Sequence, residues 1–230
     1  MGASDFEFRH RFLIIAGLFW VAFCCYWVDP VNAGLALARA LARGGDVDGA
    51  YRAVAIFSAA LVATTAALRT WCTAWLSSDI VHAPAVQTGG LVATGPYRHV
   101  RNPIYLGNFP LAVGIGLMAS RLGFVVLLVG ITLFTWRLIF REEAGLLAAQ
   151  GESYRAFCAA VPRLLPALRP RIPASGARPR WGQAWVGEAW MWGFALASAT
   201  YAATLDLRLY GGVMAGCMVA YGALIAWQRR

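Results

Sequence analysis

The sequence predicts an all-α, polytopic membrane protein with about six transmembrane helices. Three observations carry this. The 230-residue chain is 60% hydrophobic and only 13% charged, with a mean hydropathy of +0.58, too apolar for an ordinary soluble domain. Apolar runs of membrane-crossing length recur along it. Its arginines gather mostly at the ends of those runs, and since the sequence contains no lysine they supply the positive side of the +9 net charge. Basic residues so placed indicate topology and anionic lipid headgroups, so a lipid bilayer is expected as partner and no nucleic acid. Cys24, Cys25, Cys72, Cys158 and Cys217 lack C-x-x-C spacing and lie mostly in apolar runs, as small buried hydrophobes do; no metal site is expected.

Residues 12–28 form the first apolar run, behind Arg9, His10 and Arg11. At about 1.5 Å per residue it covers about 26 Å, and Trp20, Tyr26 and Trp27 favour a retained helix over a cleaved signal peptide. Asp29-Pro30 ends it. Leu35, Leu37, Arg39, Leu41 and Arg43 predict a short amphipathic interfacial helix before Gly44-Gly45. A second span is expected over residues 53–76, with Arg69 inside it, either snorkelling or facing a cavity. Residues 104–119 and 122–140 predict a tight helical hairpin, in which Gly107, Gly114 and Gly116 allow close packing. Residues 144–165 have the spacing of an amphipathic surface helix closed by Pro162 and Pro166. A Pro-, Arg- and Gly-rich stretch reads as a linker, and spans over 186–204 and 209–227 complete the set; Gly212 and Gly216 in the last predict a close-packing face.

Between the second and third spans lies a polar island, Gly95-Pro96-Tyr97-Arg98-His99-Val100-Arg101-Asn102-Pro103-Ile104-Tyr105-Leu106-Gly107. Gly95-Pro96 is turn chemistry, and Asn102-Pro103 is a helix start with Asn as N-cap and Pro at the first helical position. A loop that delivers a helix N-terminus beside arginines suits an anion, though Tyr and Arg also populate ordinary interface loops. Arg137, Arg141, Glu142 and Glu143 lie where the hairpin returns to water, on the same side as the island. Six spans put both termini on that side, which collects thirteen arginines against five opposite. The positive-inside rule then makes the termini, the island and the glutamate pair cytoplasmic, as expected of a bacterial inner-membrane protein.

With these residues in place the chain resembles the integral-membrane methyltransferases that include isoprenylcysteine carboxyl methyltransferase and the phospholipid N-methyltransferases. The matching residues are Leu91-Val92, Gly95-Pro96-Tyr97, Arg101-Asn102-Pro103-Ile104-Tyr105 and Gly107, then Arg137, Glu142-Glu143, Leu147, Gly151, Tyr154 and Val161-Pro162. The organisation this suggests is N-terminal spans over 1–79, a methyltransferase-like core over 80–166, a linker over 167–183 and a C-terminal hairpin over 184–230. The resemblance implies S-adenosyl-L-methionine as cofactor, in a cytoplasmic pocket, and a lipophilic small-molecule acceptor entering from the bilayer. It carries cofactor binding onto Leu91, Val92, Tyr97, Asn102, Pro103, Tyr105 and Glu142, with His99 and Arg101 of the same loop counted beside them. The family usually has His where this chain has Asn102, and often a His two residues before Leu-Val where it has Gly89; His82 and His99 are the candidates to compensate. Arg137 and Glu143 are the expected catalytic pair: an arginine orients a carboxylate acceptor, whereas an amine acceptor asks for a base.

Two other readings compete. The membrane steroid and sterol reductases, which use NADPH, look similar around Arg-His-Pro-Asn-Tyr-x-Gly-Glu, but Asn108 stands here in place of the final Glu, and the downstream glutamates favour the methyltransferase. The third is a lipid-binding membrane protein without catalysis.

Overall fold

A computed structural model describes residues 2–76, 94–174 and 178–228, and among these the chain is all-α. The helices are α1 (Asp5–Arg9), α2 (Arg11–Cys24), α3 (Ala33–Ala42), α4 (Val47–Trp75), α5 (Pro103–Leu106), α6 (Asn108–Gly116), α7 (Arg121–Gln150), α8 (Glu152–Ala160), α9 (Trp181–Gly187), α10 (Ala189–Thr204) and α11 (Leu207–Gln228). Among the described residues, three stretches are long and apolar enough to cross a membrane, Val47–Trp75, Arg121–Gln150 and Leu207–Trp227. The first expected span is α2 continued by a 3-10 turn over Cys25–Trp27. The run at 104–119 is broken at Gly107 into α5 and α6, and that at 186–204 falls on α9 and α10, which part at Glu188.

Residues 144–165 do not form one surface helix. α7 runs on through the glutamate pair to Gln150, and Gly151 at φ +55° turns the chain into α8. A side chain is strained at that backbone angle, which is why the break falls on glycine. Tyr154, Phe157 and Val161 of the second piece are buried together, with Leu146, Cys158 and Ile172 against them.

The residues gather into two compact units, Met1–Gly17 with Leu68–Phe109 and Val129–Gly187, and Leu18–Ala67 with Pro110–Leu128 and Glu188–Arg230. In the second unit, Val62, Ala66, Ile115, Met191 and Ala195 form a buried cluster. Gly114 packs on α4: a Cβ there would stand 2.9 Å from the Ser58 carbonyl oxygen, and Ser58 Oγ donates to the Gly114 carbonyl at 2.5 Å. Helix α3 starts on Asn32, whose Oδ1 accepts from the Leu35 N–H at 2.8 Å while its Nδ2 donates to the Met118 carbonyl at 3.0 Å. Gly212 and Gly216, expected to mark a packing face, have nothing within 4 Å of a built Cβ; the close approach of α10 and α11 is at Gly193, 2.8 Å from the Cβ of Cys217.

Another close backbone approach in this unit is at Gly123, where a Cβ would lie 2.0 Å from the Ala22 carbonyl oxygen. Neither backbone can yield cheaply. Gly123→Ala is therefore expected to destabilise the protein by at least the roughly 1–3 kcal/mol typical of overpacking, seen as a lower unfolding temperature in detergent. Gly17→Ala, with nothing within 4 Å, is the neutral control.

Candidate active site

The site belongs to the first unit and begins with the island. Gly95 has φ +53°, and a Cβ on it would stand 2.3 Å from the Trp75 ring, so glycine is required there on two counts. Gly95–Arg98 is a 3-10 turn that buries Pro96 and Tyr97. The loop is then tied down by residues after α8. Arg101 N–H donates to the Pro162 carbonyl, Ala167 N–H to His99 and Arg171 N–H to Arg98, each at 2.9 Å. Arg98 Nε donates to the Ile172 carbonyl and His99 Nδ1–H to that of Ala167, both at 2.9 Å. The first part of the stretch read as a linker is thus a strap along the island, and the His99 ring is engaged in holding it.

Two clusters grow from this loop, one on each residue of the glutamate pair. Glu143 is buried and accepts from Arg101 Nε at 3.1 Å and Asn102 Nδ2 at 2.9 Å on Oε1, and from Arg163 Nε at 2.9 Å on Oε2. Arg101 Nη1 also reaches the Cys158 carbonyl at 2.6 Å, and Asn102 Nδ2 that of Arg163 at 3.1 Å. Asn102 occupies the N-cap position of α5, with buried Pro103 as first helical residue, but its side chain does not cap; Glu143 has claimed it. A cavity of about 370 Å³ opens beside this bracket, lined by Phe140, Tyr154 and Cys158 among others. Burial, helped by nearby Glu143, pushes the Tyr154 hydroxyl above its usual range.

Glu142, about 100° further round the helix, turns elsewhere. Its carboxylate is hydrogen-bonded to the Tyr105 hydroxyl and interacts electrostatically with Arg11. Tyr97 belongs to the same cluster: it interacts with Glu142, Tyr105, Cys72 and Arg69, and burial pushes its hydroxyl well above its usual range. Arg69, the arginine inside the second span, is buried here. The Tyr97 hydroxyl is buried with no hydrogen-bond partner among the described residues, and so is Trp75 Nε1. A phenol oxygen buried without a partner is costly, so this one is suited to a ligand.

The structure therefore brings Tyr97, Tyr105 and Glu142 together, and separately Arg101, Asn102 and Glu143. Arg137 joins neither. It donates from Nε and Nη2 to the two oxygens of Glu7 at 3.1 and 2.7 Å, fastening α1 to α7. Leu91, Val92, His82 and Gly89 lie outside the described residues. Arg11, Arg163 and Glu7 are participants that sequence reasoning did not single out. Only Glu7 had a local signal: Ser4-x-x-Glu7 is a capping box, and both of its reciprocal hydrogen bonds are present.

The Arg137 guanidinium, aided by the Ser4 backbone N–H, holds the Glu7 carboxyl at about 2, well below its ordinary 4.5. A carboxyl lowered on folding stabilises the state above its unfolded value and loses that contribution as pH falls through the folded one. Hydrogen-exchange protection of residues 3–10 should therefore hold above about pH 4.5 and decline towards pH 2. Glu7→Gln should remove the decline and leave protection low throughout.

Residues 53–150 match the family model of the phospholipid methyltransferases. No curated protein and no solved structure matches the chain. The matched stretch contains the island, Tyr105 and both glutamates, while Arg11 and Arg163 lie outside it. Over residues 53–150, less than half of the chain, the sequence is similar to the phospholipid methyltransferases, in keeping with the integral-membrane methyltransferases that its motif loop and glutamate pair resemble.

Proposed function

We propose that the protein transfers a methyl group from S-adenosyl-L-methionine to a lipophilic acceptor at the cytoplasmic face of the membrane. The observation that carries this reading is the buried cluster of Tyr97, Tyr105 and Glu142 within the family-matched stretch, with the Tyr97 hydroxyl unpartnered among the described residues. These groups fit the cofactor. The Glu142 carboxylate suits its ribose hydroxyls or ammonium group, the Tyr97 O–H suits an acceptor atom on it, and the family resemblance adds Leu91 and Val92 to the binding set. When bound, S-adenosyl-L-methionine supplies a methyl carbon already activated by its sulfonium.

What then falls to the protein is alignment and the exclusion of water. Arg101, Asn102 and Glu143 act by positioning: their bracket, with Pro103 and the His99 strap, fixes the loop that bears Tyr97 and the start of the helix that bears Tyr105. Glu143 accepts three hydrogen bonds from cationic or amide donors, which engage both of its oxygens and favour a positioning role. Arg137, engaged by Glu7, acts in the same way through α1. The concentration of arginine on the side of the island supports the cytoplasmic placement.

The test is calorimetric titration of the detergent-purified protein with S-adenosylhomocysteine and, in parallel, with NADPH. Saturable binding of the first alone is the expected result. Binding of NADPH alone would assign the chain to reductase chemistry, and binding of neither by a folded sample would leave a lipid-binding protein without catalysis.

A further inference from the structure

Arg11 lies outside the family-matched residues and in no motif, yet its guanidinium is buried. It donates from Nη1 to the Phe8 carbonyl at 2.9 Å and stands over the rings of Phe8 and Phe12, 4.4 and 4.8 Å from their centroids. Arginine tolerates such a place because its planar, weakly hydrated cation stacks on aromatic faces. The other neighbours of Phe8 show where this cation is being held. Phe8 is itself buried, and the guanidinium of Arg141 lies 5.2 Å from its ring. Arg141 immediately precedes Glu142. Arg11 is thus delivered to the turn of α7 that carries the candidate ligand-binding carboxylate, and it interacts electrostatically there with Glu142 and Tyr105.

The delivery is built. Ala3 N–H donates to the Arg137 carbonyl at 2.8 Å, Glu7 takes the Arg137 guanidinium in a two-point ion pair, and Arg141 bonds the Ala3 carbonyl at 3.1 Å as well as the Asp5 carboxylate. Gly2 passes so close that a Cβ would be 3.2 Å from the Arg141 nitrogen. These contacts fasten α1 and the residues just before it at two successive turns of α7, and Arg11 opens the helix that follows.

We propose that Arg11 is a positioning residue of the site: held against α7 by the N-terminal clasp, it supplies the counter-charge that keeps the Glu142 carboxylate an acceptor for a ligand's hydroxyl or ammonium groups. A buried carboxylate with no cation beside it is costly and gives up its charge by taking a proton. Among the described residues, Tyr105 and Tyr97 face Glu142 as neutral phenols and Glu143 repels it, while the other buried cation of the cluster, Arg69, interacts with Tyr97. That the ligand is the cofactor rests on the reading of the site given above.

The test uses the full chain in detergent and two readouts. The first is cofactor-free: an infrared difference spectrum of Arg11→Met, which keeps an apolar stem on the Phe8 and Phe12 rings but loses the charge, against wild type. The expected result is a protonated-carboxyl band at neutral pH that is absent from Arg11→Lys and from the double variant Arg11→Met/Glu142→Gln. The second is S-adenosylhomocysteine affinity, expected to fall about tenfold or more in Arg11→Met and by less than about threefold in Arg11→Lys. A role in packing alone would produce neither the band nor its loss with Glu142. If Arg11→Met does not fold, Arg11→Gln, which keeps a donor for the Phe8 carbonyl, carries the same expectations. No Glu142-dependent band overturns the proposal. The band with no binding by wild type upholds the pairing and overturns the cofactor reading instead.

Discussion

Glu143→Ala is expected to cost about 3–5 kcal/mol of stability, the range found when one partner of a buried ion pair is removed. The side chains of Arg101 and Glu143 are 9% and 10% exposed, so the remaining guanidinium cannot turn to water for compensation. It keeps the Cys158 carbonyl, which carries no full charge. Asn102 loses an acceptor in the same step, and with it the island is released from α7. Arg163→Ala is the internal comparison. Its ion pair with Glu143 is as short, at 2.9 Å, but the Arg163 side chain is 40% exposed, and a partly exposed pair contributes about 1 kcal/mol or less. Tryptophan fluorescence during chemical unfolding in detergent distinguishes the two, and a loss below about 1 kcal/mol for Glu143→Ala would remove the bracket from the account of the fold.

The parts of this arrangement legible in the sequence are those written in local chemistry. Apolar runs located α2, α4, α7 and α11; the Leu and Arg pattern located α3; and Asn102-Pro103 located the start of α5. The juxtaposition of the island with the glutamate pair also followed, because a hairpin returns its end to the side it left. The break at Gly151 was available as a lone glycine in an amphipathic pattern, but the longer periodicity masked it. Partner choice was not local. The Asn102 side chain had a capping role open to it and instead satisfies a carboxylate on another helix, a preference that burial settles and propensity cannot. Arg137 looked like a substrate-orienting residue while its partner, Glu7, lay ahead of the first stretch that hydropathy and charge single out. Adjacent glutamates on a helix necessarily diverge, but which of them meets cations and which meets a tyrosine depends on what the fold brings to each side.

Glu142→Gln is expected to weaken S-adenosylhomocysteine binding by about 10- to 100-fold, the equivalent of the roughly 1.5–3 kcal/mol carried by a hydrogen bond to a charged group. Gln keeps the size of the side chain and one acceptor oxygen, so the loss reports charge. The same substitution should disturb the fold less than Glu143→Ala. Glu142 meets the Tyr105 hydroxyl and the Arg11 guanidinium, which has aromatic rings on it, whereas Glu143 organises two guanidinium groups and an amide. The pair of variants therefore separates two functions in neighbouring residues: the loss of affinity belongs to Glu142 and the loss of stability to Glu143. Calorimetry on both, at a temperature where each is folded, makes the comparison. Equal losses of affinity in Glu142→Gln and Glu143→Gln would overturn the division of roles, because it would mean that the ligand depends on the bracket as directly as on the cluster around Tyr97 and Tyr105.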